Sequence, residues 1–245
     1  MPTRAPVNSA DLTVAFVHGA FADSSGWNGV IEQLEADGIK TTAIPNPLRG
    51  VTEDSAYVAS AISQIPGPVL AVAHSYGGAV LTNAARDTDN VIGLVYVAAF
   101  APDEGETLLG IEGDSKDSVL TSALKQTEYP TAQGTQTEFS IDPDKYRDAF
   151  ASDLPAKTTA VMAATQRPAS ALAFAEPSGP PAWKKLPSWS VVATGDKAAG
   201  SDVVRSMAKR AKATITEVDG SHAIMISQPK VVHDVVMQAV TALSN

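Results

Sequence analysis

The chain has 245 residues, 44% of them apolar, and a mean hydropathy of −0.01, enough to bury a sizeable core in one or two domains. It has no cysteine, so disulfides, zinc–thiolate sites, iron–sulfur clusters and thiol nucleophiles are excluded. Its 18 Lys and Arg against 27 Asp and Glu leave a formal charge of −9, which repels phosphate backbones and anionic membranes, so neither nucleic acid nor membrane is an expected partner.

The first ten residues contain no apolar signal-type run, and no stretch approaches the roughly 18 apolar residues of a membrane span. A cytoplasmic protein is expected, although a chain trimmed to a mature N-terminus would read the same way.

Short apolar runs then alternate with helical patterns. Residues 12–17 form a β-rich run, followed by a loop at 18–26. From Trp27 the period changes: Trp27, Val30, Ile31 and Leu34 recur at helical spacing, and Gly38 supplies the stop. Residues 41–44 predict a second strand, closed by Pro45-Asn46-Pro47. A second helix starts near Thr52, with Glu53 and Asp54 in its first turn, where they favour the helix dipole. Residues 69–73 predict a third strand, followed by a sharp turn and a helix to Ala85. The run at 91–97 is continuous rather than alternating, as expected of a central strand covered on both faces.

The pattern breaks between 101 and 185, where eight prolines separate short helical patches and no run is read as a strand. Asp142-Pro143 has the form of an N-cap followed by proline at the first helical position, and 152–164 predicts another helix. Alternation resumes with strands at 190–193 and 214–218 and helices at 202–211 and 229–243. The order predicts an α/β fold with a mostly parallel, doubly wound sheet of about six strands. Its core is expected from 1–100 and 186–245, with 101–185 as a helical cap insertion.

The segment Ala73-His74-Ser75-Tyr76-Gly77-Gly78 joins a β run to a helix and has the form small-x-Ser-x-Gly of a nucleophile elbow. A tight strand-to-helix turn needs small residues two positions either side of the serine, because the backbones crowd there. It leaves the hydroxyl at the sheet edge, beside a helix N-terminus that favours negative charge. Ala73 stands where glycine is commoner; alanine is the next smallest residue.

Val17-His18-Gly19-Ala20-Phe21 ends the first strand. Acyl transfer develops an oxyanion that needs two N–H donors, expected from Ala20 and from Tyr76, the residue after the nucleophile. Of the four histidines, His18 and His74 belong to these turns and His233 lies on the last helix, which leaves His222, in the loop Asp219-Gly220-Ser221-His222, as the base. The supporting carboxylate is expected between Ser75 and His222. Asp196, after the 190–193 strand, is favoured, and Asp103 is its competitor.

Together, His18-Gly19-Ala20-Phe21, the elbow at 73–78, Asp196 and His222 resemble the α/β-hydrolase superfamily, and within it the methyl esterase and plant-type hydroxynitrile lyase branch. The resemblance runs from Leu12 to Leu243. It implies a Ser–His–Asp triad, no cofactor and a pocket between cap and sheet. The expected activity is hydrolysis of small to mid-sized, mainly apolar carboxylic esters. Lyases of the hydroxynitrile type carry lysine immediately after the histidine, where this chain has Ala223. A ligand receptor on the same fold is the reading from another class. The cap contributes Leu108, Leu109, Leu120, Leu124, Met162, Phe174 and Trp183 as apolar surface, and no arginine cluster to clamp an anion. No metal site is expected: Asp142-x-Asp144 and Asp87-x-Asp89 have the spacing of turns or caps rather than of a calcium loop. The oligomeric state is not written in the sequence.

Overall fold

The computed structural model describes residues 8–244. In chain order the first part runs β1 (Thr13–Val17), α1 (Asn28–Ala36), β2 (Lys40–Ile44), α2 (Val51–Ser63), β3 (Val69–His74), α3 (Tyr76–Ala84) and β4 (Val91–Val97). The segment after β4 carries α4 (Leu108–Gly113), α5 (Leu120–Ala123), β5 (Leu124–Thr131), β6 (Gly134–Ile141), α6 (Pro143–Phe150), α7 (Ala156–Thr165), β7 (Ala169–Ser170) and α8 (Leu172–Ala175). The chain then returns through β8 (Ser188–Ala193), α9 (Ser201–Arg210), β9 (Thr214–Val218), α10 (Ile224–Ser227) and α11 (Pro229–Ser244). No described helix is long and apolar enough to cross a membrane.

Six strands form one sheet in the order β2-β1-β3-β4-β8-β9, and every neighbouring pair is parallel. Helices cover both faces, so the inner strands are buried at every position and their alternate apolar residues enter two separate cores. Val14, Phe16, Leu70, Val72, Val95 and Val191 pack towards Trp27, Leu34, Val232 and Val236, from α1, α11 and the turn before α1. Ala15, Val17, Ala71, Ala73 and Leu94 pack towards Val58, Ile62, Val80 and Val204 of α2, α3 and α9. The six expected strands and the helices between them are all present, with ends within two residues of the expected ones.

The inserted segment departs from expectation. Its helices are accompanied by an antiparallel sheet, β5-β6-β7, in which β5 and β6 pair continuously from Leu124↔Ile141 to Thr131↔Gly134. The hairpin was hidden because most of its side chains are half-buried or exposed, so few of them are apolar. What remains is a weak period-2 pattern: Thr135, Thr137, Phe139 and Ile141. Pro130 is tolerated because β5 is an edge strand. Arg49 fastens the hairpin to the core, with Nη1 2.9 Å from Glu138 Oε2 and its guanidinium 4.5 Å from the centre of the Tyr129 ring.

Trp27 is fully buried, with its ring 4.9 Å from that of Phe16, and its indole N–H has no partner among the described residues. Truncation to alanine is expected to cost about 3–5 kcal/mol in urea unfolding. Trp27→Phe, which removes the unpaired donor and keeps a ring, is expected to cost far less.

Candidate active site

The connections from β1 and β3 run in opposite directions across the sheet: β1 leads to β2 on one side, and β3 leads to β4 on the other. The carboxyl ends of β1 and β3 therefore flank the point where the winding reverses, the place where open α/β sheets bind ligands. The loop 18–21 leaves β1 here and Ser75 follows β3. Asp196 and His222 follow β8 and β9 at the same edge.

Ser75 has φ 52° and ψ −128°, a left-handed conformation that costs a non-glycine residue about 1–3 kcal/mol. Its carbonyl accepts from Gly78 N–H at 2.9 Å and Phe100 N–H at 3.2 Å, so the turn is held from both sides. Two glycines permit it. A Cβ on Gly77 would lie 2.7 Å from the carbonyl oxygens of Val17 and His18, and one on Gly19 would lie 2.6 Å from Ser75 Cβ. The loop after β1 thus rests directly on the serine.

Tyr76 opens α3, so its N–H is one of the first-turn donors that a helix leaves without an internal acceptor. Its hydroxyl donates to Asp54 Oδ2 at 2.6 Å, and Asp54 also accepts Arg49 N–H at 3.1 Å. Burial raises the Asp54 carboxyl and pushes the Tyr76 phenol well above its ordinary range, with the Asp54 charge adding to the latter. Asp54, expected to act on the dipole of α2, instead anchors Tyr76, the residue after Ser75. Ala20, the other expected donor, is buried at the end of the 18–21 loop.

His222 and Asp196 form a buried pair, Nδ1 to Oδ2 at 2.8 Å, each side chain 1% exposed. Asp196 Oδ1 accepts the N–H groups of Ala198 and Ala199, so the carboxylate is held at both oxygens. With its Nδ1 proton directed at Asp196, His222 presents Nε2 as an acceptor. Asp103 instead pairs with Lys184 at 2.5 Å at the surface.

The other histidines are fixed elsewhere. His18 Nε2 accepts Asn46 N–H at 3.0 Å, so its proton is on Nδ1 and donates to Gly19 O at 2.9 Å. Burial, with a smaller contribution from Arg167, lowers its pKa to about 4. His74 donates from Nε2 to the carbonyl of His222 at 2.9 Å, and burial holds it neutral. The two rings are 4.5 Å apart at their centres, which brings the His222 turn against the elbow. His233 links α11 to Asp37 at 2.9 Å.

Sequence reasoning missed His74 as a support, along with two acids. Asp153 accepts both the N–H and the hydroxyl of Ser221, the residue before His222. Glu112 of α4 is buried with Oε1 unpartnered; burial, aided by the Asp196 charge, raises it to about 8, so it is a neutral acid at pH 7. Neither has a local motif. Asp142 caps α6 by accepting Asp144 N–H, and among the described residues no group of three His, Asp or Glu could hold a metal.

Ser75 is 7% exposed. Phe174 of the cap stacks on Phe21 at 6.0 Å and on Tyr76 at 6.3 Å, the residues that follow Ala20 and Ser75. A cavity of about 40 Å³ between Phe21, Tyr146, Phe150, Met162 and Met225 adjoins these loops. A larger one, about 570 Å³, is lined by α2, the end of α3 and residues 177–179, away from the strand ends. Leu109, counted as cap apolar surface, is 58% exposed and lines neither cavity.

A wholly parallel sheet with a strained serine at its winding switch and a buried His–Asp pair beside it defines an α/β hydrolase. The chain belongs to the alpha/beta hydrolase family, whose sequence pattern matches residues 14–235. It is 25% identical over 256 residues to methylesterase 18 of Arabidopsis thaliana, covering 94% of this chain and 97% of that one. Polyneuridine aldehyde esterase superposes with a TM-score of 0.78 at 17% identity, over 96% of this chain and 100% of that one. A pyrethroid hydrolase from Sphingobium faniae gives 0.74 at 19%, over 94% and 98%.

Because His18 stays neutral in the folded chain down to about pH 4, the unfolded chain binds its proton first, near 6.5. Stability is therefore expected to fall as pH drops from 6.5 towards 4, by about 3 kcal/mol from this residue, and to be flat in this term above 6.5. Urea titrations across that window should show a shallower fall for His18→Gln than for the wild type.

Proposed function

We propose that the chain hydrolyses carboxylic esters through Ser75, His222 and Asp196. The buried 2.8 Å His222–Asp196 pair beside the elbow carries this reading, since it fixes the imidazole tautomer that a serine nucleophile needs. His222 Nε2 takes the Ser75 proton as Oγ attacks the ester carbonyl. The N–H groups of Ala20 and Tyr76 stabilise the oxyanion, and His222 returns the proton to the departing alcohol. Water then attacks the acyl-enzyme by the same route, which releases the acid and restores the serine. No cofactor or metal enters the scheme.

The aromatic surround of Phe21, Phe174 and Phe150 and the net charge of −9 favour uncharged, mainly apolar esters over polyanions. Methylesterases and a pyrethroid hydrolase among the similar proteins support the same substrate class. Cyanohydrin cleavage is disfavoured by Ala223, a fully buried methyl where that chemistry places a lysine.

Short-chain p-nitrophenyl esters test the proposal. A burst followed by turnover faster than about 1 s⁻¹ is expected of an esterase, whereas a single slow turnover with retained product would mark a receptor. Ser75→Ala and Asp196→Asn are each expected to lower kcat by about 10⁴-fold, and Asp103→Asn to leave it within twofold. A fluorophosphonate should label Ser75. Full turnover by Ser75→Ala would overturn the scheme.

A further inference from the structure

One helix of the cap touches both loops that carry the proposed chemistry. In α6, Tyr146 is buried and its hydroxyl donates to the carbonyl of Phe21 at 3.0 Å. The Phe21 N–H donates to the carbonyl of Arg167, also in the cap, at 3.2 Å. Phe21 follows Ala20 directly and has φ +60°, a conformation that a phenylalanine keeps only when its surroundings impose it. Both polar backbone groups of the residue after the oxyanion donor thus end on cap atoms.

The other end of the helix grips the base. Phe150, the last residue of α6, accepts Ala223 N–H at 3.2 Å and sets its ring edge-on to His222 at 4.8 Å. Three residues on, Asp153 takes the N–H of Ser221 at 3.0 Å and its hydroxyl besides. Ser221 and Ala223 flank His222. Tyr146 and Phe150 are one turn apart on the same face, with ring centres 5.1 Å apart, so the two grips share one rigid element.

We propose that Tyr146 and Asp153 are positioning residues, through which helix α6 sets the oxyanion loop and the general-base turn relative to each other. The inference rests on the serine-hydrolase reading above. A buried tyrosine whose hydroxyl finds a carbonyl is ordinary; the carbonyl it finds here belongs to the oxyanion loop. A displacement of about 1 Å in such a loop is enough to cost on the order of 10²-fold in rate.

The test uses Tyr146→Phe and Asp153→Asn in the full chain, with p-nitrophenyl acetate, and counts sites by the burst so that misfolded protein drops out. Each variant is expected to lose about tenfold in kcat per titrated site, with KM within twofold of wild type. Fluorophosphonate labelling of Ser75 should slow in parallel, because it uses the same donors and base. If Asp153→Asn does not fold, Ser221→Ala removes the same hydroxyl bond from the other side. A per-site kcat within twofold of wild type in either position overturns the shared role of the helix. A raised KM at unchanged kcat overturns it too, since that would mean direct contact with substrate. A wild-type protein that neither turns over nor labels at Ser75 would instead bring down the hydrolase reading, and this inference with it.

Discussion

The close approach of backbones at the carboxyl ends of β1 and β3 governs the rest of the site. The two strands pair in parallel up to Val17↔Ala73, and the chain must then leave each in a different direction within two or three residues. A strand-to-helix turn fits that space only with the serine in a left-handed conformation and with no side chain facing the 18–21 loop. Gly19 and Gly77 satisfy the second condition, and the sheet imposes the first. The strain of about 1–3 kcal/mol at Ser75 is small against two apolar cores that clamp the sheet from both faces.

The polar groups under this turn follow from the same closeness. Three imidazoles, His18, His74 and His222, lie at the carboxyl-end side of the sheet, the rings of His74 and His222 4.5 Å apart, all 1% exposed or less. Three positive charges could not coexist there in a medium of low dielectric. His18 and His74 are held neutral by burial, and each spends its proton on a backbone carbonyl, of Gly19 and of His222. His222 alone faces a carboxylate. On the acid side, Glu112 lies within the field of Asp196, and its neutral form avoids a second buried anion beside the first.

How much of this the sequence displays depends on range. Strand β4 reads as central from its uninterrupted apolar run because coverage on both faces is a property of the run itself. The elbow is legible for a similar reason: the small residues and the serine lie within five positions. Asp196, favoured over Asp103 because its strand neighbours the His222 strand in sequence, is the acid hydrogen-bonded to His222, while Asp103 pairs with Lys184. The hairpin β5–β6 failed to register because its half-solvated strands carry threonines, glutamines and glutamates in place of an apolar stripe. His74, Asp54, Asp153 and Glu112 stayed hidden because their roles are defined by partners far along the chain. Asp153 meets Ser221 across 68 positions, and no local pattern marks that meeting.

The same long-range character marks the contacts between the inserted segment and the loops that follow β1, β8 and β9. The turn that carries Asp196 is bonded to the segment between α4 and α5, where Ser118 Oγ donates to Ala198 O at 2.7 Å and Val119 N–H to Lys197 O at 2.8 Å. Just beyond it, Asp202 accepts Ser115 Oγ–H at 2.6 Å, and Ser201 Oγ–H donates to Asp117 at 2.6 Å. The loops bearing Ala20 and His222 end on α6 and its flanks. Each of the three loops thus gains hydrogen bonds from the insertion. Leu109 and Val161 of the same insertion are exposed on its outer face, while its inner residues from Ser118 through Tyr146 to Asp153 bond to the loops that leave the sheet.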